Sequence, residues 1–216
     1  MSAYYDEDGI TIYHGDCREV LEWLEADVVV TDPPYGMGLR SSRGGAFGES
    51  AIEGDDDCAV RNHVLRMWEP KPALMFGRWS VPRPPATRMV LTWDKGEHVG
   101  MGDLATPWKP NTEEVYVIGT GFAGHRGSSV LRYHAIAGTV GQAARGDRFH
   151  PTEKPVDLMR DLIGKCPQGV IADPFMGSGT TLRAAADLGR RAIGVEFRED
   201  YCEIAARRLA QGVLAL

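Results

Sequence analysis

Apolar residues return along this chain in two rhythms. Short aliphatic and β-branched runs alternate with longer stretches in which apolar positions recur every three or four residues. Residues 10–15 (ITIYHG) read as a strand that Gly15 ends, and 17–25 (CREVLEWLE) as a short helix. Val28-Val29-Val30 is a short buried strand that runs straight into Thr31-Asp32-Pro33. Residues 36–56 hold Gly36, Gly38, Gly44, Gly45, Gly48 and Gly54 and lead into Asp55-Asp56-Asp57, the composition of a mobile loop. A helix is expected over 58–69, strands over 72–76, 89–93 and 114–118, and fading periodicity over 119–148. Order returns with a helix over 156–165, a strand over 170–172 ending in Asp173-Pro174, and a helix over 180–188 closed by Gly189, a residue suited to a left-handed C-cap. A strand over 192–196 and a helix over 200–209 follow. Strands that alternate with helices imply one α/β domain with a mostly parallel sheet covered on both faces.

Composition bounds this picture without adding to it. The 216 residues suffice for one such domain, and 43% hydrophobic with 25% charged residues is ordinary for a globular chain. No run approaches the roughly 18 apolar residues of a membrane span, and the first residues show no secretory signal. Cys17, Cys58, Cys166 and Cys202 lack paired spacing, which argues against a zinc site or a disulfide framework; no metal is expected. The net charge of −6 requires that any nucleic-acid contact be made by a locally basic face.

Two strand ends carry candidate chemistry. Asp173-Pro174-Phe175-Met176-Gly177-Ser178-Gly179-Thr180 lies between a strand and a helix, where paired glycines permit a tight turn and close approach of a ligand to backbone. The turn lacks the lysine of a P-loop. Glu196, at the end of the next strand, is placed for ribose hydroxyls. A nucleoside without phosphates suits this pair, and S-adenosylmethionine is one; a nicotinamide-dependent oxidoreductase is the competing reading, though the third glycine of its fingerprint is missing. The other strand end is Asp32-Pro33-Pro34-Tyr35. Prolines force the chain out of the sheet there. An aromatic amino nitrogen is a poor nucleophile because its lone pair is delocalised into the ring. The Asp32 carboxylate and the Pro33 carbonyl can accept its two N–H bonds and draw it towards tetrahedral geometry, Pro34 stiffens the backbone, and Tyr35 offers a ring for the base to stack on. Such a base must first leave the duplex.

Together TDPPYG (31–36), LTWDKGEHVGMGDL (91–104), EEVYVIGTG (113–121), HPTEKPVDLMRDLI (150–163), DPFMGSGTT (173–181) and GVEFREDYCEIAARRL (194–209) resemble the amino-methyltransferases of DNA, the N6-adenine and N4-cytosine enzymes of bacteria and phages. The catalytic tetrad precedes the cofactor turn, which is similar to the β-type permuted order. The resemblance implies a Rossmann-like S-adenosylmethionine-dependent methyltransferase fold with a mostly parallel seven-stranded sheet, helices on both faces, and the Asp32 and Asp173 strands side by side at its centre. It implies that Asp173, Pro174, Phe175, Gly177, Ser178, Gly179 and Thr180 line the methionine and ribose of the cofactor, with Asp32 bordering it. Glu196 would take the ribose hydroxyls, Phe197 the adenine face, and Asp16 and Cys17 the adenine edge. His150, Thr152 and Lys154 match the stretch that holds the methionine end, with Lys154 on its carboxylate. Two of these have plainer readings: Lys154 as a solvated lysine at a helix start, and Asp16 as an N-cap.

The resemblance also implies site-specific methylation of double-stranded DNA, adenine N6 favoured by the Asp-first tetrad and cytosine N4 the alternative. A cytoplasmic setting in a bacterium or phage-infected host follows, in the context of restriction-modification. RNA or glutamine amino-methyltransferases usually carry Asn-Pro-Pro-Tyr in unpermuted order, and a catalytically silent DNA or cofactor binder would not need Asp32 and Tyr35 intact. The departure lies in the middle. Larger relatives carry a sizeable target-recognition region; here 119–149 supplies Arg126, Arg132, Arg145 and Arg148 against Asp147, with His125 and His134 nearby. With Arg40 and Arg43 these arginines are the candidate DNA-facing surface. So small a region leaves room for a homodimer or a partner subunit. The isolated chain is expected to methylate a short or relaxed sequence, and methylation mapping that returned a long, strict site would contradict this.

Overall fold

The computed structural model of the chain describes residues 2–34, 58–97, 104–135 and 153–213. The expected loop over 36–56 and much of the arginine-bearing segment lie outside them. In chain order the elements are β1 (Tyr5–Glu7), β2 (Ile10–His14), one turn of 3₁₀ helix (Glu22–Glu25), β3 (Val28–Thr31), α1 (Ala59–Trp68), β4 (Ala73–Gly77), β5 (Thr87–Asp94), β6 (Thr112–Ile118), β7 (Val130–Arg132), α2 (Val156–Gly164), β8 (Ile171–Asp173), α3 (Thr180–Asp187), β9 (Ala192–Glu196) and α4 (Glu199–Val213).

The strands form a single mixed sheet in the order β1-β2-β9-β8-β3-β4-β6-β5-β7. Five neighbours from β2 to β4 are parallel, β6 runs antiparallel to both β4 and β5, and β7 is parallel to β5. The seven expected strands are the run β2 to β5, and the sheet exceeds expectation by a three-residue strand at each edge. At one edge Asp8 and Gly9, both at positive φ, turn β1 back onto β2. At the other, β7 adds to β5 through Thr92↔Val130 and Asp94↔Arg132, inside the stretch where no periodicity was visible. Three residues are too few to show an alternation.

The pleat sorts the core. Val28 and Val30 of β3, with Leu74 and Phe76 of β4, join the apolar faces of α2, α3 and α4. Val29, Ala73 and Met75 point the other way, onto Val64, Leu65 and Trp68 of α1 and onto Trp23. This accounts for unbroken apolar runs in the central strands: both faces are covered. The expected helix over 17–25 shrinks to the 3₁₀ turn because Asp16 intervenes. Its carboxylate accepts the Arg18 N–H at 2.8 Å and its carbonyl accepts from Glu19 and Val20, closing a turn before a helix can start. Trp23 then stacks on Trp68, ring centroids 5.6 Å apart, and donates its indole N–H to the Cys17 carbonyl. Gly189 closes α3 at φ 64°, as expected.

A buried ion pair fastens the C-terminal helix to the segment before α2. Arg208 Nη1 of α4 lies 2.5 Å from Glu153 Oε1, with 1% of the Glu153 side chain exposed, and also donates to Thr180 Oγ1 at the start of α3. Removing one member leaves the other charged in a dry site. Arg208→Met is therefore expected to destabilise the chain by about 3–5 kcal/mol, measured by urea unfolding with an unchanged denaturant slope.

Candidate active site

Parallel strands of a sheet present their C-terminal ends along one rim. Here β2, β9, β8, β3 and β4 do so, and β6, which runs the other way, brings its first residues to the same rim. The strand order reverses between β8 and β3: from β8 the chain passes through α3 to β9 on one side, and from β3 through α1 to β4 on the other. Such a switch point leaves a crevice outside the strand ends. Val28↔Ile171 and Val29↔Ala172 put β3 and β8 in direct parallel register. Asp32 and Asp173 thus end neighbouring strands, as the sequence implied.

The rim is stitched by side chains. Thr31 Oγ1 donates to Asp173 Oδ1 at 2.6 Å, and the same oxygen accepts the Phe175 N–H at 3.1 Å. Asp173 is buried, which raises its pKa to about 6; bonds from Thr181, Thr31 and the Phe175 amide oppose the rise and the Asp32 charge adds to it. Glu196 receives the Gly177 N–H on one oxygen and the Arg198 N–H on the other, both at 2.9 Å. Burial raises its pKa against those two bonds. His14 at the end of β2 donates from Nε2 to the Phe197 carbonyl at 3.0 Å.

The two glycines of the turn serve different ends. Gly177, at φ 52°, has nothing within 4 Å of where a Cβ would stand, so it faces open space. A Cβ on Gly179, at φ 80°, would come 2.8 Å from Ala205 Cβ, so this glycine lets α3 pack against α4. Ser178 and Thr180 are buried, Phe175 is half-buried and Phe197 is 54% exposed. An open backbone turn, a fixed carboxylate and an exposed aromatic ring along one rim suit a nucleoside with a polar tail. Asp16 and Cys17 follow β2 on this rim. Asp16 is engaged by the Arg18 guanidinium, which lowers its pKa, and acts as the cap of its own turn. Burial pushes the Cys17 thiol up to about 12, so it is no nucleophile.

At the other strand end, Asp32 is half-buried, Pro33 buried and Pro34 half-buried. Lys154 is not a solvated helix-start lysine: 8% of its side chain is exposed, and its ammonium pairs with Asp32 Oδ2 and stands 3.3 Å from Glu113 Oε2. Its charge is directed to those carboxylates. The ammonium also faces the rings of Phe76 at 4.9 Å and Trp93 at 5.9 Å from their centroids. Burial works to lower the Lys154 pKa, but Asp32 and Glu113 outweigh it and the net shift is upward. Glu113 is lowered because Lys154 and Lys95 outweigh its burial. Asp32 is raised by burial and by Glu113, with Lys154 opposing.

Of the expected DNA-facing residues, Arg126 is exposed in the loop before β7. Arg132, at the end of β7, is exposed on the same rim, 3.9 Å from Asp94. Tyr35, His150, Thr152, Arg40, Arg43, Arg145 and Arg148 lie outside the described residues. The sequence reading missed Thr31, Glu113, Lys95, Glu153 and Arg208. Arg208 left a trace, since it falls beside the apolar stripe of Cys202, Ala205 and Leu209 on α4. Glu113 left none: an acid at the start of a strand looks like any solvated one.

A family model for DNA methylases (N6_N4_Mtase) matches residues 93–207. YubD of Escherichia coli (strain K12), a protein named as a methylase, is 31% identical over 91% of this chain and 88% of its own length. The type II methyltransferase M.ScaI of Streptomyces caespitosus is 25% identical over 95% of this chain and 83% of its own. Among solved structures, the M1.HpyAVI–SAM complex superposes with a TM-score of 0.63 at 21% identity, covering 93% of this chain and 98% of that one. The cytosine-N4-specific PvuII DNA methyltransferase does so with 0.63 at 18% identity, covering 93% and 86%. These two share the fold.

The raised pKa of Asp173 makes a prediction for the ligand-free chain. A carboxyl whose folded value lies above its unfolded one contributes stability that is complete below about pH 4 and lost as the pH rises through about 6. Relative to wild type, Asp173→Asn is expected to gain up to about 3 kcal/mol between pH 4 and pH 7, read from urea unfolding at a series of pH values.

Proposed function

The chain belongs to the N6/N4 family of DNA methylases, and on that footing we propose that it transfers a methyl group from S-adenosylmethionine to the N6 amino group of an adenine flipped out of double-stranded DNA. The observation that carries the proposal is the juxtaposition of Asp32 and Asp173 at the ends of neighbouring parallel strands, with the open Gly177 turn and Glu196 beside them. The first pair is suited to accept the N–H bonds of an amine; the second is suited to cradle a nucleoside.

The cofactor side is the rim from β2 to β8. Glu196 is fixed by two backbone N–H groups and is suited to ribose hydroxyls; Phe197 offers a ring face, and the turn from Asp173 to Thr180 offers backbone. On the family's pattern Asp16 and Cys17, which follow β2, would meet the adenine edge. S-adenosylmethionine, when bound, supplies an electrophilic methyl group on a sulfonium sulfur. The chain supplies the nucleophile's geometry. Asp32 accepts one N–H of the target amine and the Pro33 carbonyl accepts the other, which localises the nitrogen lone pair. As the nitrogen gains its bond to carbon it becomes acidic, and Asp32 receives the proton.

Adenine is favoured over cytosine by the aspartate that leads the tetrad. Arg132, on the same rim, and the arginines around it in sequence form the surface for the DNA backbone. Tritiated methyl transfer to unmethylated double-stranded DNA, followed by nucleoside analysis, tests the reading. N6-methyladenine is expected from wild type, with a loss of at least about a hundredfold in Asp32→Ala, on the order of 3 kcal/mol in the barrier. N4-methylcytosine as the product would overturn the choice of base, and full activity of Asp32→Ala would overturn the assignment of Asp32.

A further inference from the structure

Four charged side chains form an alternating row at the catalytic rim: Asp32, Lys154, Glu113 and Lys95. Lys154 Nζ pairs with Asp32 Oδ2 and lies 3.3 Å from Glu113 Oε2; Glu113 Oε1 in turn lies 2.5 Å from Lys95 Nζ. Each glutamate oxygen thus faces a different lysine, yet the two contacts are unequal. Among the described residues no well-directed hydrogen bond reaches the buried Glu113 Oε2; the Lys154 ammonium stands 3.3 Å from it but is aligned on Asp32. A buried carboxylate oxygen without a donor is costly and uncommon. The row is walled by Phe76 and Trp93: Lys154 faces both rings, and Lys95 faces Trp93 at 5.3 Å. In such surroundings a charge left without a partner costs more than it would in water.

We infer that Glu113 is a positioning residue for methyl transfer: it keeps Lys154 against Asp32 before the reaction and receives that lysine's hydrogen bond once Asp32 has taken the proton of the target amine. The inference rests on the role given to Asp32 above. The balance is simple. The nitrogen forms one N–C bond to the donor methyl, whose C–S bond breaks with its electron pair left on sulfur, and one N–H bond breaks with its proton passing to an Asp32 oxygen. Lys154 remains protonated throughout. Its partner Asp32 has become neutral, and the empty acceptor of Glu113 lies within a small side-chain movement. The row therefore holds a paired lysine in both states. This gives a role to the second carboxylate buried beside the first.

The groups facing Asp32 among the described residues are Lys154 from the segment before α2, Glu113 from β6, Lys95 beyond β5 and Asp173 from β8. They give opposite signs for two substitutions. Lys154→Met removes the cation beside Asp32 and should move the acidic limb of kcat/KM upward by about one pH unit or more, with activity recovering as the pH is raised. Glu113→Gln removes the competing anion and should move the limb downward, lower kcat at the plateau and leave KM for the cofactor unchanged. Glu113→Asp, which keeps the charge, should return the limb towards wild type. The carboxyl ¹³C titration of Asp32 in the ligand-free chain should show the same two displacements without any turnover. Limbs that stay put, or move in the same direction in both variants, overturn the inference. Should Lys154→Met fail to fold, Glu113→Gln decides alone, by the sign of its shift in the NMR titration. A wild type that methylates no DNA yet shows the paired NMR shifts would overturn the proposed function and leave the ionic coupling standing.

Discussion

The parallel pairing of β3 with β8 governs the remainder of the rim. Two strands separated by well over a hundred residues end at the same height, so their exit residues, Asp32 and Asp173, must share a desolvated space. Two carboxylates so placed repel each other and lose hydration together. The chain answers with a separate device for each. Asp173 is served by neutral donors, the Thr31 hydroxyl and the Phe175 amide, and it keeps a pKa of about 6. Asp32 is served by a full cation, Lys154. One carboxylate is thereby held by dipoles and the other by a charge.

Glu153 and Lys154 are neighbours in the chain, and each is the buried member of an ion pair. Glu153 is gripped by Arg208 of α4; Lys154 grips Asp32 beyond β3 and faces Glu113 of β6. The part of the rim built on α3, α4 and β9 and the part built on β3, β4 and β6 meet at this dipeptide. Neither pair is required for the sheet to form, since the sheet has its own apolar core on both faces. What the two pairs fix is the position of this dipeptide between α4 and the residue that follows β3.

Much of this was legible in the sequence. Central strands showed as apolar runs because both faces are buried, and the two proline-marked strand ends showed because proline and glycine report backbone geometry directly. The sequence reading went astray where structure depends on contacts distant in the chain. The helix expected after β2 is one 3₁₀ turn because the Asp16 carboxylate and carbonyl capture the next amides. The edge strands β1 and β7 exist only because a neighbour is there to pair with them. The row behind Asp32 was invisible for a similar reason: Glu113 and Lys95 read as surface charges until the sheet brings β5, β6 and the segment before α2 together. Lys154 drew notice as a partner for the cofactor carboxylate; the structure adds that its ammonium rests on Asp32 beside Glu113.

The strand order has a consequence for how the molecule is assembled. β8 and β9, among the last elements of the chain, lie between β2 and β3, which are among the first. A nascent chain that has emerged only as far as β7 can pair β3 with β4, but between β2 and β3 it has a vacancy two strands wide. One side of β3 is then an open edge, rich in valine and prone to pair with a stranger. Closing the vacancy requires contacts of long sequence separation, which form slowly. The permuted order of this family thus delays the moment at which Asp32 acquires Asp173 as a neighbour until nearly the whole chain has been made. A chain truncated before β8 carries Asp32 at an open sheet edge, without Asp173 and Glu196 along the same rim.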